Sequence, residues 1–189
     1  MTLTLTLNIV TCSTRPGRIG PSIAQWFLEY AREHSAFDCQ LVDLANFELP
    51  VYNEAKHPAT GIYEHEHTRN WAASVNSADA FVFVMPEYNF CPPPSFVNAL
   101  NYVYTEWNYK PCGFVSYGGA AGGVRAALLA RQLVTTLKMM PMVEGVMVPM
   151  AWNQIDDNKV FHSNELIDPS ATDLLAELEK WAKGLKAMR

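Results

Sequence analysis

The chain has 189 residues, 49% hydrophobic, 12% aromatic and 17% charged, with a formal net charge of −5. That apolar and aromatic content excludes a disordered chain, and the acidic balance argues against a nucleic-acid binder, which needs a basic stripe. A chain this long buries enough surface to fold without staples, so residues 1–189 are expected to form a single domain.

Leu3, Leu5, Leu7 and Ile9 alternate with Thr and Asn and lead into Val10, which predicts a first strand. Polar and Gly/Pro-rich residues 13–21 break it. Ser22 to Arg32 then places Ile23, Trp26, Phe27 and Tyr30 on one helical face. A second strand is expected over about Phe37 to Asp43, followed by a long irregular connection over residues 44–64, a length that signals function or contact. A helix from Glu66 to Ser77 precedes Ala80-Phe81-Val82-Phe83-Val84-Met85, the unbroken apolar run of a parallel strand buried on both faces. Pro86 to Pro94 reads as a loop, Ser95 to Trp107 as a helix, Phe114 to Ser116 as a strand and Tyr117 to Gly123 as a glycine loop. A helix over Val124 to Lys138, a fifth strand over Val143 to Val148 and an amphipathic helix over Ala171 to Lys186 complete the series.

Strands alternating with helices predict an α/β protein, a flavodoxin-like three-layer sandwich whose five-stranded parallel sheet runs in the order 2-1-3-4-5. Ligands of such sheets collect beyond the carboxyl ends of the strands, which selects residues 12–22, 86–94 and 117–123. In the first loop, Ser13, Thr14 and Ser22 offer hydroxyls and Arg15 and Arg18 positive charge at a helix start, which suits a phosphate monoester. The same residues would also serve a solvated turn whose hydroxyls cap the helix. In the second, Glu87, Asn89 and the flat faces of Tyr88 and Phe90 stand among prolines, stiff enough to receive a planar polar ring or to form a rigid surface turn. The third, Ser116-Tyr117-Gly118-Gly119-Ala120-Ala121-Gly122-Gly123, lets backbone N–H groups approach a ligand closely. Together the three describe a mononucleotide site with a large ring, which flavin mononucleotide (FMN) fits best.

At these residues the sequence resembles the NAD(P)H-dependent FMN reductase family, which includes quinone and azo-dye reductases. The resemblance is carried by Ser13-Thr14-Arg15 with Arg18 and Gly20, and by Pro86-Glu87-Tyr88-Asn89. It continues in Asn98-Ala99-Leu100, Glu106-Trp107, Lys110-Pro111, and Val115 to Gly119 with Gly122 to Ala126. Cys12 stands where the family commonly has glycine. The resemblance implies that Ser13, Arg15, Ile19 and Gly20, with Arg18 and Ser22, surround the phosphate. Pro86, Glu87, Tyr88 and Asn89 would line the isoalloxazine, with Ser116, Tyr117 and Gly118 near its other edge. It further implies NADPH or NADH as co-substrate, a small-molecule acceptor and a homodimer or tetramer. Hydride passage needs no catalytic side chain of its own, because the cofactor carries the chemistry. The N–H groups of Gly118-Gly119 and the helix after Gly123 are expected to stabilise negative charge on the reduced ring. The expected kinetics are ping-pong, with one pocket shared by both half-reactions. A flavodoxin-type electron carrier and a flavin-free binding module on the same fold are the competing readings.

Other features point to scaffolding. The four cysteines, Cys12, Cys39, Cys91 and Cys112, lack zinc or disulfide spacing, and Met1 to Leu5 carries no secretion signal. No apolar run approaches the roughly 20 residues of a membrane span. A cytoplasmic location follows as an expectation. Glu64-His65-Glu66-His67 reads as a solvated helix start, because side chains two apart do not share a helical face. Cys91 reads as a spectator thiol, and Trp26, Trp71, Trp107 and Trp181 as mostly core or interface residues. His57-Pro58 belongs to the long loop, at the acceptor entrance or against a partner subunit.

Overall fold

The apolar run Ala80 to Met85 lies at the centre of the sheet, buried along its whole length. The computed structural model describes residues 4–189. Its strands are β1 (Thr6–Thr11), β2 (Asp38–Asp43), β3 (Ala80–Pro86), β4 (Pro111–Gly118), β5 (Met140–Pro141) and β6 (Val146–Pro149). Its helices are α1 (Gly20–His34), α2 (Glu66–Ser77), α3 (Pro94–Tyr102), α4 (Val124–Thr135) and α5 (Ile167–Lys186). All strand pairs are parallel, in the order β2-β1-β3-β4-β5, with β6 also beside β4. This is the expected three-layer order. Leu3, the first residue of the expected opening strand, lies outside the described residues.

Alternation along the strands sends side chains to two cores. Leu7, Ile9, Val82, Val84 and Val115 pack with Ile23 and Phe27 of α1 and Leu174 and Leu178 of α5. Val10, Phe81, Phe83, Met85 and Phe114 pack with Trp71 of α2, Phe96 of α3 and Ala126 and Ala130 of α4. Each large apolar side chain buried this way contributes about 1.5–3 kcal/mol. Gly113 gives α5 its close approach to the sheet: a Cβ there would lie 2.4 Å from a Leu174 methyl, which would have to move.

Several boundaries differ from the sequence pattern, each for a physical reason. Helix α1 starts at Gly20 rather than Ser22, because Pro21 suits a first helical turn. Helix α3 stops at Tyr102, and a separate 3-10 turn, Thr105–Trp107, drops the Trp107 indole into the core against Trp71 and Phe81. Strand β4 extends on both sides of Phe114–Ser116, because every residue from Cys112 to Tyr117 finds a partner on β3. Helix α4 ends three residues early, at Thr135, and Lys138 turns left-handed with φ 57°. The fifth strand position is split: the detour between β5 and β6 turns its Met142 and Val143 carbonyls to the Arg131 guanidinium instead of to the ladder. Helix α5 begins at Ile167, where the Asn164 side chain accepts the Leu166 and Ile167 N–H groups. Among the tryptophans, Trp71 and Trp107 are core residues, whereas Trp181 is 38% exposed.

Candidate functional site

Thr11, Pro86 and Gly118 end three neighbouring strands, so the loops after them open at one edge of the sheet. In the first loop Ser13 is fully buried, with its Oγ 3.2 Å from the Tyr117 hydroxyl. Gly20 packs against this pair, and a Cβ there would come 2.6 Å from both oxygens. Only glycine lets α1 begin this close to β1 and β4. Burial pushes the Tyr117 phenol well above its ordinary pKa, outweighing the opposite effect of the Ser13 hydrogen bond, so it stays protonated. Ser13 and Tyr117 thus form a neutral floor. Cys12 is accommodated without left-handed backbone, and its N–H donates to the Val84 carbonyl at 2.9 Å.

Arg18 does not project from this loop. Its two terminal nitrogens meet the Asp43 carboxylate at 2.7 and 2.6 Å, and Nη1 also donates to the Ser13 carbonyl. The Asp43 hydrogen bond is the leading reason its pKa is raised. This bidentate pair braces the loop against the end of β2. Thr14 and Arg15 remain exposed, while Ile19 and Ser22 are half-buried at the start of α1. No side chain caps α1 and no acidic residue lies in its first turn, so its positive end is left without an internal counter-charge.

The second loop is a two-residue hairpin. Tyr88 and Cys91 exchange backbone hydrogen bonds of 3.0 and 2.9 Å, and Asn89 and Phe90 between them take φ of 51° and 68°. These are the angles of a type I′ turn, which favours Asn then Gly. Phenylalanine in that conformation costs about 1–3 kcal/mol. Its ring does not join the cavity wall: it is 62% exposed and lies under the Arg125 guanidinium, 4.3 Å from Cζ to the ring centroid.

The third loop turns on Gly122 and Gly123, with φ of 58° and 79°. A Cβ on Gly123 would lie 2.7 Å from the Tyr117 nitrogen. The Ser116 hydroxyl is spent inside the turn, donating to the Gly122 carbonyl at 2.8 Å. Gly118 ends β4, and the Gly119 carbonyl accepts from Gly122 and Met150. The helix after Gly123 departs from expectation. The Glu87 carboxylate accepts the Arg125 and Ala126 N–H groups at 3.0 and 3.4 Å and the Arg125 guanidinium at 3.2 Å. The positive end of α4 is therefore already filled by the chain's own anion. Glu87 turns its backbone to the sheet and its charge to the helix.

Two cavities flank the first loop and share Pro92 and Pro94. One, of about 690 Å³, is lined by Arg15, Glu87, Tyr88, Asn89 and Cys91. The other, of about 750 Å³, lies between α3 and the long loop, lined by Thr14, Leu44, Leu49, Val51, Val97 and Asn101. That loop is more ordered than its sequence suggests. The buried Glu54 carboxylate accepts the Glu64 and His65 N–H groups at 2.9 and 3.1 Å, just ahead of α2. Burial works to raise its pKa, but its hydrogen bonds prevail and hold it below the ordinary value. His65 and His67 do come together, contrary to the helical spacing rule. His65 is the extended N-cap of α2, so its ring stacks on that of His67 with centroids 5.0 Å apart. Among the described residues no cluster of three or more metal-ligating side chains occurs. Cys91 is exposed and the other three cysteines are buried.

The local sequence pattern does not reveal the pairings of Asp43, Arg125 and Glu54. Their partners lie 25, 38 and 10 to 11 residues away, beyond any local pattern.

Comparison with known proteins matches residues 5–153 to the family of NADPH-dependent FMN reductases. The chain belongs to that family. This FMN reductase-family chain is 40% identical over 139 residues to an NAD(P)H-dependent FMN reductase of Schizosaccharomyces pombe, covering 72% of this chain and 69% of the relative. It is 28% identical over 200 aligned positions to a quinone reductase of Pseudomonas putida, covering 100% of this chain and 99% of the relative. Among solved structures, the flavoenzyme NAD(P)H:acceptor oxidoreductase FerB of Paracoccus denitrificans superposes with a TM-score of 0.76 at 15% identity. That superposition covers 96% of this chain and 98% of the other, and the two share the fold. No helix among the described residues is long and apolar enough to cross a membrane.

Proposed function

We propose that the protein is an FMN-dependent oxidoreductase that passes hydride from NAD(P)H to a quinone, free flavin, azo compound or similar small acceptor by ping-pong kinetics, as a homodimer or tetramer. The observation that carries this reading is the open positive end of α1 beside the 690 Å³ cavity. The residues present fit FMN. Gly20 packs directly on the Ser13–Tyr117 floor, which a Cβ would push apart, and so lets the uncapped start of α1 follow the first loop closely. Arg15, lining the 690 Å³ cavity, and its exposed neighbour Thr14 would supply a cation and a hydroxyl for a dianionic phosphate, with Ile19 and Ser22 at the first helical turn. Tyr88 and Asn89, on the stiff hairpin between Pro86 and Pro92, form a wall for the planar ring. Gly118, at the end of β4, and Gly119 after it would serve its far edge. In this reading Arg18, Glu87, Phe90 and Ser116 hold the loops in place through protein contacts.

Bound FMN would supply the two-electron chemistry, taking hydride from the nicotinamide and handing it to the acceptor. The chain binds, orients and excludes water. With the Tyr117 hydroxyl donating to Ser13 and the positive end of α4 occupied by Glu87, backbone N–H groups near Gly118 and Gly119 would be left to stabilise negative charge on the ring.

The test is a visible spectrum of the purified protein with FMN, before and after anaerobic NADPH. Bleaching of a bound yellow chromophore is expected. A protein that binds flavin but is not reduced by NADPH or NADH is a carrier, and one that stays colourless with added FMN is a binding module; either result overturns the assignment.

A further inference from the structure

We propose that Arg125 is a positioning residue that sets the Tyr88–Cys91 hairpin against the flavin, an inference that rests on the FMN-dependent reading above. The sequence of the turn creates the need. A type I′ turn favours glycine at its second central position, where this chain has Phe90 with φ 68°. Burial does not hold that ring in place, since it is 62% exposed. The Arg125 guanidinium stacked 4.3 Å above it does.

The same side chain reaches the root of the hairpin, donating to Glu87 Oε1 at 3.2 Å, while the Arg125 N–H donates to Oε2 at 3.0 Å. One residue in the first turn of α4 thus fastens both the root and the tip of the hairpin. Tyr88, Asn89 and Cys91 of the hairpin line the cavity together with Glu87, whereas Phe90 and Arg125 do not. Arg125 thus holds the wall from outside the cavity. Lysine could meet Glu87 but has no planar face to lay on Phe90.

The test compares the wild type, Arg125→Ala and Arg125→Lys. It reads FMN dissociation, amide exchange at Cys91 without added flavin, and thermal unfolding. The Cys91 N–H closes the turn onto the Tyr88 carbonyl at 2.9 Å, so its exchange reports the hairpin itself. For Arg125→Ala, FMN dissociation and Cys91 exchange should each rise about tenfold while Tm stays within about 2 °C, as expected for a half-exposed contact. Arg125→Lys should lie nearer the alanine variant than the wild type. Unchanged dissociation and exchange in Arg125→Ala overturn the role. Full recovery by lysine also overturns it, because charge alone would then suffice. A lowered Tm with exchange accelerated equally through β3 and α4 overturns it as general destabilisation. A wild type that takes up no FMN removes the functional reading, and this inference with it, before any variant is compared.

Discussion

The helices α1 and α4 both begin at the carboxyl edge of the sheet, yet their positive ends are treated in opposite ways. The first turn of α4 receives the Glu87 carboxylate, and Arg125 bridges that carboxylate to Phe90. The first turn of α1 has no side-chain cap and no acidic residue, and the arginine nearest it in the loop is bound to Asp43. Helix α2 follows the pattern of α4 at both ends. Glu54 accepts the N–H groups ahead of its start, and buried Lys110 donates to the Val75 and Asn76 carbonyls near its finish. Where the chain supplies its own counter-charge the helix end is structural; the open end of α1 is the one that the proposed phosphate site uses.

The largest effect should come from disturbing the open end. Gly20→Val drives a branched side chain into the Ser13 and Tyr117 oxygens, an overpacking that costs about 1–3 kcal/mol of stability and displaces the start of α1, so FMN affinity should fall about tenfold or more in a fluorescence titration. Inorganic phosphate should raise the Tm of the flavin-free wild type by a few degrees and leave this variant unmoved; equal protection of both would break the contrast between α1 and α4. Next comes removal of a supplied charge. Glu87→Ala leaves the first N–H groups of α4 without their acceptor and should cost about 1–2 kcal/mol in chemical denaturation, the range of a lost helix cap.

Two smaller effects are read from pH. Glu54 has a lowered pKa, so its stabilising contribution is present above the ordinary carboxylate value of 4.5 and is lost as pH falls through its folded value. Glu54→Gln should therefore flatten the acid limb of the stability profile. Lys110 has the reverse sign. Burial pulls its pKa from 10.5 down to about 8, so between these values the unfolded chain holds more protons and wild-type stability rises with pH. The slope should approach one proton, and Lys110→Met should lack it; a wild-type curve flat over that interval would show the ammonium to be adequately solvated by its carbonyls.

Local chemistry made some elements readable to the residue. The bounds of α2, Glu66–Ser77, follow from its apolar spacing between the Gly/Pro-rich connection and the run at Ala80. The run itself could only be a central strand. Other features were hidden because their cause is remote in sequence. The break between β5 and β6 depends on Arg131, a residue of α4. The end of α3 goes with the packing of the Trp107 indole against Trp71 in the core. The pairing of His65 with His67 depends on the first of them standing outside the helix.

By itself the sequence determined the alternation of strands and helices and the three loops at the strand ends, because hydrophobic period and turn chemistry act over a few residues, and the strand order followed from the fold type which that alternation suits. Only the tertiary structure decided which charges are free. Arg18 and Arg15 are equal in composition and three positions apart, but Asp43 lies within reach of one and not the other. An ion pair is decided by distance in space, and that distance exists only after the chain has folded.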